Sequence, residues 1–148
     1  MPNWITVALA DLYNSKAAPL VDQINQQMLG AGQTDRLTGI IADATLEIRR
    51  RVAKCNQLDA DTTKIPGGLK PLAVDLIYCR LKIAAELPLS DDERLILKQR
   101  EDQLERIADG RDTVDPADNP IAPNFTQALP APAFGRRHRL FTNRTQEG

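Results

Sequence analysis

The sequence predicts an all-α fold: a small helical bundle of three main helices, one or two short N-terminal helices before them, and an extended C-terminal arm after them. Three observations lead there. The 148 residues are 42% hydrophobic but only 4% aromatic, so the core must be mostly Leu, Ile, Val and Ala, whereas strand-rich domains lean on β-branched and aromatic residues. Three stretches between residues 34 and 110 repeat apolar residues at three- and four-residue spacing, the period of a helix with one buried face. Those stretches also carry start and stop signals. The length suits one domain with a real core.

The first long helix is expected over 34–55, "TDRLTGIIADATLEIRRRVAKC", where Leu37, Ile40, Ile41, Ala44, Ile48, Val52 and Cys55 line one face. Thr34 or Asp35 suits the N-cap. Arg49, Arg50 and Arg51 are consecutive, cannot share a face, and are expected to point mostly outward. The second helix is expected over 69–87, "LKPLAVDLIYCRLKIAAEL". Leu69, Leu72, Ala73, Leu76, Ile77, Ile83, Ala84 and Leu87 make one stripe, and Val74, Leu81 and Ala85 add apolar character elsewhere, so this helix is read as central. Pro71 fits a first turn, where its missing N–H removes nothing. Pro88 disfavours helical geometry at Leu87, and "PGG" at 66–68 is a break.

The third helix, 90–110, begins with Ser90 and Glu93 at capping-box spacing. Asp91 and Asp92 suit the positive helix start, and Gly110 suits a left-handed C-terminal position. Its apolar residues (Leu95, Leu97, Leu104, Ile107, Ala108) are sparse, so it is expected to lie on the surface. Upstream, Trp4–Leu12 is read as a short helix. Leu20, Val21, Ile24 and Met28 mark a second one before "GAG" at 30–32. Residues 1–110 form the expected helical domain and 111–148 the arm. Five of the ten prolines fall in 111–132 without helical periodicity, a composition that cannot bury enough apolar surface to order itself alone.

Signals for catalysis are scarce. The one histidine, His138, lies in the tail, so no Ser/His/Asp or Cys/His set can be assembled in the helices. Zinc spacings and phosphate-binding glycine loops are missing from the sequence. The chain is therefore read as a non-enzyme with no metal and no cofactor. Glu101, Asp102 and Glu105 read as a solvated helix face, with i,i+4 pairs such as Lys98–Asp102 and Asp102–Arg106. Cys55 and Cys79 read as core thiols. No stretch approaches the roughly 18 apolar residues of a membrane span, and no basic-then-apolar leader opens the sequence, so a cytosolic chain without membrane contact is expected.

The tail is different. All three phenylalanines (Phe125, Phe134, Phe141) lie in it, around Arg136, Arg137, Arg139, Leu140 and Arg144. Residues 133–148 hold four Arg and one Glu, whereas residues 1–110 hold 14 basic and 16 acidic groups. Arginine and aromatics on a proline-spaced segment are the types that anchor interfaces. Two other readings are a tail that folds back, with Phe134 and Phe141 capping its own core, and phosphate binding by the arginines.

The chain also resembles the head–tail connector (adaptor, or head-completion) proteins of tailed bacteriophages, including the Mu-like neck family. The resemblance rests on "IIADATLEIRRRV", "LKPLAVDLIYCRL", "DDERLILKQREDQLERIADG" and the basic ending "RRHRLFTNR". It implies a small helical virion subunit that assembles in the host cytoplasm. Such subunits form a homo-oligomeric ring, commonly a dodecamer, between the portal and the tail, and viral dsDNA passes through without sequence-specific binding. The implied partners are the portal protein and a downstream neck, stopper or tail-completion protein. The arm residues Phe125, Phe134, Arg136, Arg137, Arg139, Leu140, Phe141 and Arg144 would dock on the portal. Arg49, Arg50 and Arg51 would meet Glu101, Asp102 and Glu105 of a neighbouring subunit. The alternative is a small helical DNA-binding or regulatory protein that uses its basic tail, although the third helix is acidic rather than basic.

Overall fold

Eight of the fifteen residues of Lys70–Ala84 are buried, because apolar side chains surround this helix on nearly every side. The rest of the chain is arranged about it. In this computed structural model, which describes residues 1–27, 30, 32 and 35–121, the elements run β1 (Trp4–Thr6), α1 (Leu9–Ser15), α2 (Ala18–Gln27), α3 (Leu37–Val52), β2 (Lys64–Pro66), a single 3-10 turn (Gly67–Leu69), α4 (Lys70–Ala84) and α5 (Asp91–Ala108). Helix α4 packs on α3 and α5, which also touch each other, and on α1 and α2. Leu12, Val21, Ile24, Ile48, Leu76, Ile77, Leu81, Leu104 and Ile107 belong to one buried cluster.

The expected helices are present, and the fold is mostly helical, but not purely so. The sequence predicts a short helix over Trp4–Leu12; the structure starts that helix only at Leu9 and makes Trp4–Thr6 a strand, antiparallel to β2 in the register Trp4↔Pro66, Ile5↔Ile65, Thr6↔Lys64. Trp, Ile and Thr favour strands; burial falls along this one, from Trp4 buried through Ile5 half-buried to Thr6 exposed. A partner strand 60 residues away in sequence leaves no local signal. Two further corrections concern exposure. Cys55 is exposed rather than in the core, with its Sγ 3.2 Å from the Ala108 carbonyl oxygen. Ile83, in the last turn of α4, is 53% exposed. Cys79 is buried, and that burial pushes its thiol pKa up.

Helix ends follow local chemistry. The Ser90–Glu93 capping box forms in both directions: Glu93 N–H donates to Ser90 Oγ (3.2 Å) and Ser90 N–H to the Glu93 carboxylate (2.9 Å). At α3 the Asp35 carboxylate accepts from Leu37 N–H at 2.8 Å, taking up one of the unpaired amides of that end. Its pKa is held down, chiefly by the Thr38 hydroxyl. Arg106 pairs with Asp112 at 3.1 Å rather than with Asp102.

Helices α4 and α5 end with the same motif. In α5, Gly110 has φ +75°, its N–H reaches the Ile107 carbonyl, and Arg111 N–H reaches that of Arg106. In α4, Glu86 N–H reaches the Ile83 carbonyl and Leu87 N–H that of Lys82. These bonds define the Schellman closure. The residue in the left-handed position of α4 is Glu86, at φ +57°, where a Cβ is strained by about 1–2 kcal/mol. Glycine there relieves the strain but loosens the unfolded chain by about 0.4–1 kcal/mol.

Glu86→Gly is therefore expected to stabilise the fold by about 0.5–1 kcal/mol, the difference between strain relief and chain entropy. Gly110→Ala is expected to destabilise it by about 1 kcal/mol, since the left-handed strain outweighs the stiffening of the unfolded chain and the new Cβ would lie 3.3 Å from the Cys55 Sγ. Denaturant titration of both variants measures the opposite signs; shifts of the same sign would contradict this account of the two helix ends.

Candidate functional site: the arm root and its surroundings

The part of the molecule with the densest long-range polar bonding lies where the C-terminal segment returns to the N-terminus. It is built on Arg49, in the last turns of α3. That side chain is 5% exposed. Its Nη1 donates to the carbonyls of Asp61 (2.9 Å) and Lys64 (2.7 Å), and its Nη2 to that of Asp59 (2.7 Å). The guanidinium carbon sits 5.5 Å from the centre of the Trp4 ring, within cation–π range. Burial pushes the Arg49 pKa down while Asp59 and Asp61 push it back up; the group stays charged, as arginine does in proteins. One planar fork thus holds the 59–64 loop and the β1 tryptophan together.

The arm root is fastened to the same place. The Trp4 indole N–H donates to the Asp115 carbonyl at 3.0 Å. The Asp118 carboxylate accepts from Asn3 N–H (2.9 Å) and Trp4 N–H (2.8 Å). Asp115 accepts from Gly68 N–H at 3.0 Å. Asp59, itself 1% exposed, accepts from Asp61 N–H and Asn119 N–H, both at 2.9 Å. A short antiparallel bridge follows: Ala60 N–H donates to the Asn119 carbonyl (2.8 Å) and Ile121 N–H to the Leu58 carbonyl (3.0 Å). Gly67 is required at the junction, because its N–H donates to the Asn3 carbonyl at 2.7 Å and a Cβ would stand 3.0 Å from that oxygen.

Residues 112–121 are thus irregular, as their prolines imply, yet ordered against the body. Three aspartates accepting main-chain amides do the ordering, with Val114 and Ala117 packed on the core edge. The carboxyls of Asp59 and Asp118 are held below the usual carboxylate range: Asp59 by the amides of Asp61 and then Asn119, Asp118 by those of Trp4 and then Asn3.

The structure divides the sequence-predicted contact residues. Arg49 is withdrawn from the outward-facing set, because its fork is consumed inside the subunit. Arg50 is exposed and Arg51 half-buried, while Glu101, Asp102 and Glu105 are exposed on α5. Phe125, Phe134, Arg136, Arg137, Arg139, Leu140, Phe141 and Arg144 lie outside the described residues. Trp4, Asp59, Asp115 and Asp118 were missed. The signal available for the last two was "DPADNP" at 115–120, in which Asp and Asn beside Pro mark turns that bond backbone amides.

A groove opens between β1 and α3, lined by Thr6, Val7, Ile41, Ala42, Thr45 and Leu46 and by Thr62 and Thr63 of the loop before β2. Leu46 is 49% exposed there. Among the described residues no group of three or more His, Cys, Asp or Glu side chains is placed to hold a metal ion, and no helix is long and apolar enough to cross a membrane. No protein-family model, curated protein or solved structure matches this chain. What the fold and the site define is a mostly helical domain with a small two-stranded sheet and a C-terminal segment anchored as far as Ile121.

Two outcomes follow. Arg49→Met removes the guanidinium donor from three backbone carbonyls, of which that of Asp61 keeps the Lys64 N–H, and is expected to destabilise the fold by about 2–4 kcal/mol. Arg49→Lys recovers only part of this, since one ammonium cannot reproduce the planar fork. Thermal unfolding checks both, and an unchanged midpoint for Arg49→Met would contradict the assignment. For Asp118 the folded pKa lies below the unfolded value, so its stabilisation is complete above about pH 4 and fades as pH falls through the folded pKa. Asp118→Asn is expected to flatten that acid loss, read from the fluorescence of the single tryptophan; an acid limb identical to the unmodified protein's would contradict it.

Proposed function

We propose that this chain is a structural subunit of a bacteriophage neck, forming a ring between the portal and the tail that extends the DNA channel and completes the head. The reading begins from the resemblance in the three main helices. The observation that carries it further is the anchored arm root. A rigid helical body holds residues 112–121 by main-chain bonds, so everything after Ile121 starts from a fixed point on the surface. An arm built to grip another protein benefits from this arrangement, because fixing its root lowers the entropy lost on docking.

In this reading the role is mechanical rather than catalytic. Phe134, Arg136, Arg137, Arg139, Leu140 and Phe141 dock on the portal. Arg50 and Arg51 face Glu101, Asp102 and Glu105 of the next copy around the ring, with twelve copies as the number the resemblance implies. Alternating charge on such a lateral contact governs register and encounter rate more than affinity. Viral dsDNA passes through the channel without base-specific contact, and the opposite face meets a stopper or tail-completion protein.

Mixing the full chain with portal protein and imaging the particles tests this. A ring is expected below the portal. The double variant Phe134→Ala with Phe141→Ala is expected to weaken portal binding at least about 30-fold, as loss of buried aromatic anchors does. Undiminished binding would contradict the docking role. A gel shift on duplex DNA that weakens steeply with salt, with no portal complex, would favour the DNA-binding alternative.

A further inference from the structure

Strand β1 has one edge paired and one edge open. Gly67 N–H donates to the Asn3 carbonyl in continuation of the Ile5↔Ile65 register, so Asn3 and Ile5 turn their main-chain groups towards β2, and Trp4 and Thr6 turn theirs away. Pro66, which has no N–H to give, accordingly stands opposite Trp4. Asp118 takes the outward Trp4 N–H. The Trp4 carbonyl and the Thr6 N–H and carbonyl have no hydrogen-bond partner among the described residues. Thr6 and Val7, where this edge ends, also form one wall of the groove against α3. We propose that residues 125–129 of the same chain add to the open edge of β1 as a third strand, with Phe125 and Leu129 lying in that groove.

The segment has the chemistry that the edge and the groove need. Residues 122–132 read "APNFTQALPAP", with no charged side chain. The segments on either side differ: 109–118 carries four Asp and one Arg, and 136–144 carries four Arg. Phe125, Gln127 and Leu129 alternate and so share one face of a strand. Phe and Thr favour strands, and Pro130, unable to donate to a ladder, ends one. The groove offers Ile41, Ala42 and Leu46 to the two apolar side chains and Thr6, Thr45 and Thr62 to the glutamine. An open edge is a template for pairing with foreign chains, which proteins avoid by covering it, and a third strand steadies a sheet of two.

Reach and tethering select the chain's own segment. Ile121 N–H bonds the Leu58 carbonyl, and Thr62, on the groove wall, follows Leu58 by four residues, at most about 14 Å along the chain. The Asp61 N–H on the Asp59 carboxylate folds that loop and shortens the path. From Ile121 the chain spans up to about 14 Å to Phe125 and about 28 Å to Leu129, enough to arrive. Pro123 and Asn124 are turn residues and stand where the chain must reverse. A tether this short sets an effective concentration in the millimolar range, so at micromolar protein the chain's own segment outcompetes that of a second copy. The arm that meets a partner is then 130–148, and Phe134 stands five residues beyond the last anchored one, Leu129, instead of thirteen beyond Ile121.

The inference stands apart from the neck reading, and its test uses no portal. NMR hydrogen exchange on the full chain reads the Thr6 amide, while sedimentation velocity on the same sample reads the mass. A single chain is expected, with the Thr6 amide exchanging at least about ten-fold more slowly than in Phe125→Asp or Leu129→Asp, since local opening sets that rate. Leu46→Glu, on the groove side at an exposed position, is expected to release the same amide. The amides of α4 around Leu76 are expected to keep their protection in all three variants, which separates loss of the strand from loss of the fold. Rapid exchange of Thr6 in the unmodified protein overturns the inference, as does protection that persists in Phe125→Asp and Leu129→Asp. Protection that appears only as the mass rises above one chain assigns the strand to a second copy and overturns it too. The Phe134→Ala, Phe141→Ala variant is expected to keep Thr6 protected, so a failed portal experiment leaves this result standing.

Discussion

Arg49 is the point on which the non-helical part of this molecule depends. Its fork binds three carbonyls of the 59–64 loop and its face lies on Trp4. Without it all three oxygens lose their guanidinium donor, the Asp61 oxygen keeping the Lys64 N–H at 3.3 Å, and the tryptophan that receives the arm root loses its cover. A guanidinium suits this position for a physical reason. It stays charged when buried, it donates along several fixed directions, and its weak hydration lets it lie flat on an aromatic ring. The desolvation it suffers is offset by carbonyl dipoles and by the neighbouring carboxylates of Asp59 and Asp61.

From that centre the connections spread outward through main-chain amides. Asp59, Asp115 and Asp118 each accept from backbone N–H groups on segments distant in sequence. They hold a stretch that has little apolar surface of its own. The ion pairs elsewhere are of a different kind. Lys16 and Arg100 meet at Asp75, and Lys82 meets Glu93 across the α4–α5 corner. These pairs are partly solvated, and pairs of that sort contribute little each; they set the register of helices already packed by Leu, Ile and Val.

The helices were legible in the sequence because their signals are local. The period of Leu37 to Val52, the crowded apolar surface of 70–84, and the Ser90–Glu93 box each lie within one element, and Gly110 stops its helix as a glycine in that position does. The ending of α4 was less legible, since Glu86 takes a backbone conformation that its side chain disfavours and the bonds of Leu87 and Glu86 enforce it. The strand at Trp4 was not legible, because it depends on pairing with residues 64–66. Arg49 was misread for the same reason. Three consecutive arginines look alike in a sequence, and only the position of the 59–64 loop distinguishes the one that is buried. The ordering of 112–121 escaped notice because composition measures apolar burial, whereas this segment is held by carboxylates on amides. The tail's abundance of Phe and Arg was plain from the start, and its role rests on the proposals made above.

The central claim is that the Arg49–Trp4 contact makes the 59–66 segment and the arm root one cooperative unit from which the arm projects. Hydrogen exchange on the full chain, compared with Arg49→Met, tests it most directly. The amides of Trp4, Gly68, Asn119 and Ile121 are expected to be protected in the unmodified protein and to lose protection together in the variant, while those of α4 around Leu76 exchange last in both. Free exchange of Asn119 and Ile121 in the unmodified protein, or protection there that survives loss of the guanidinium, would contradict it.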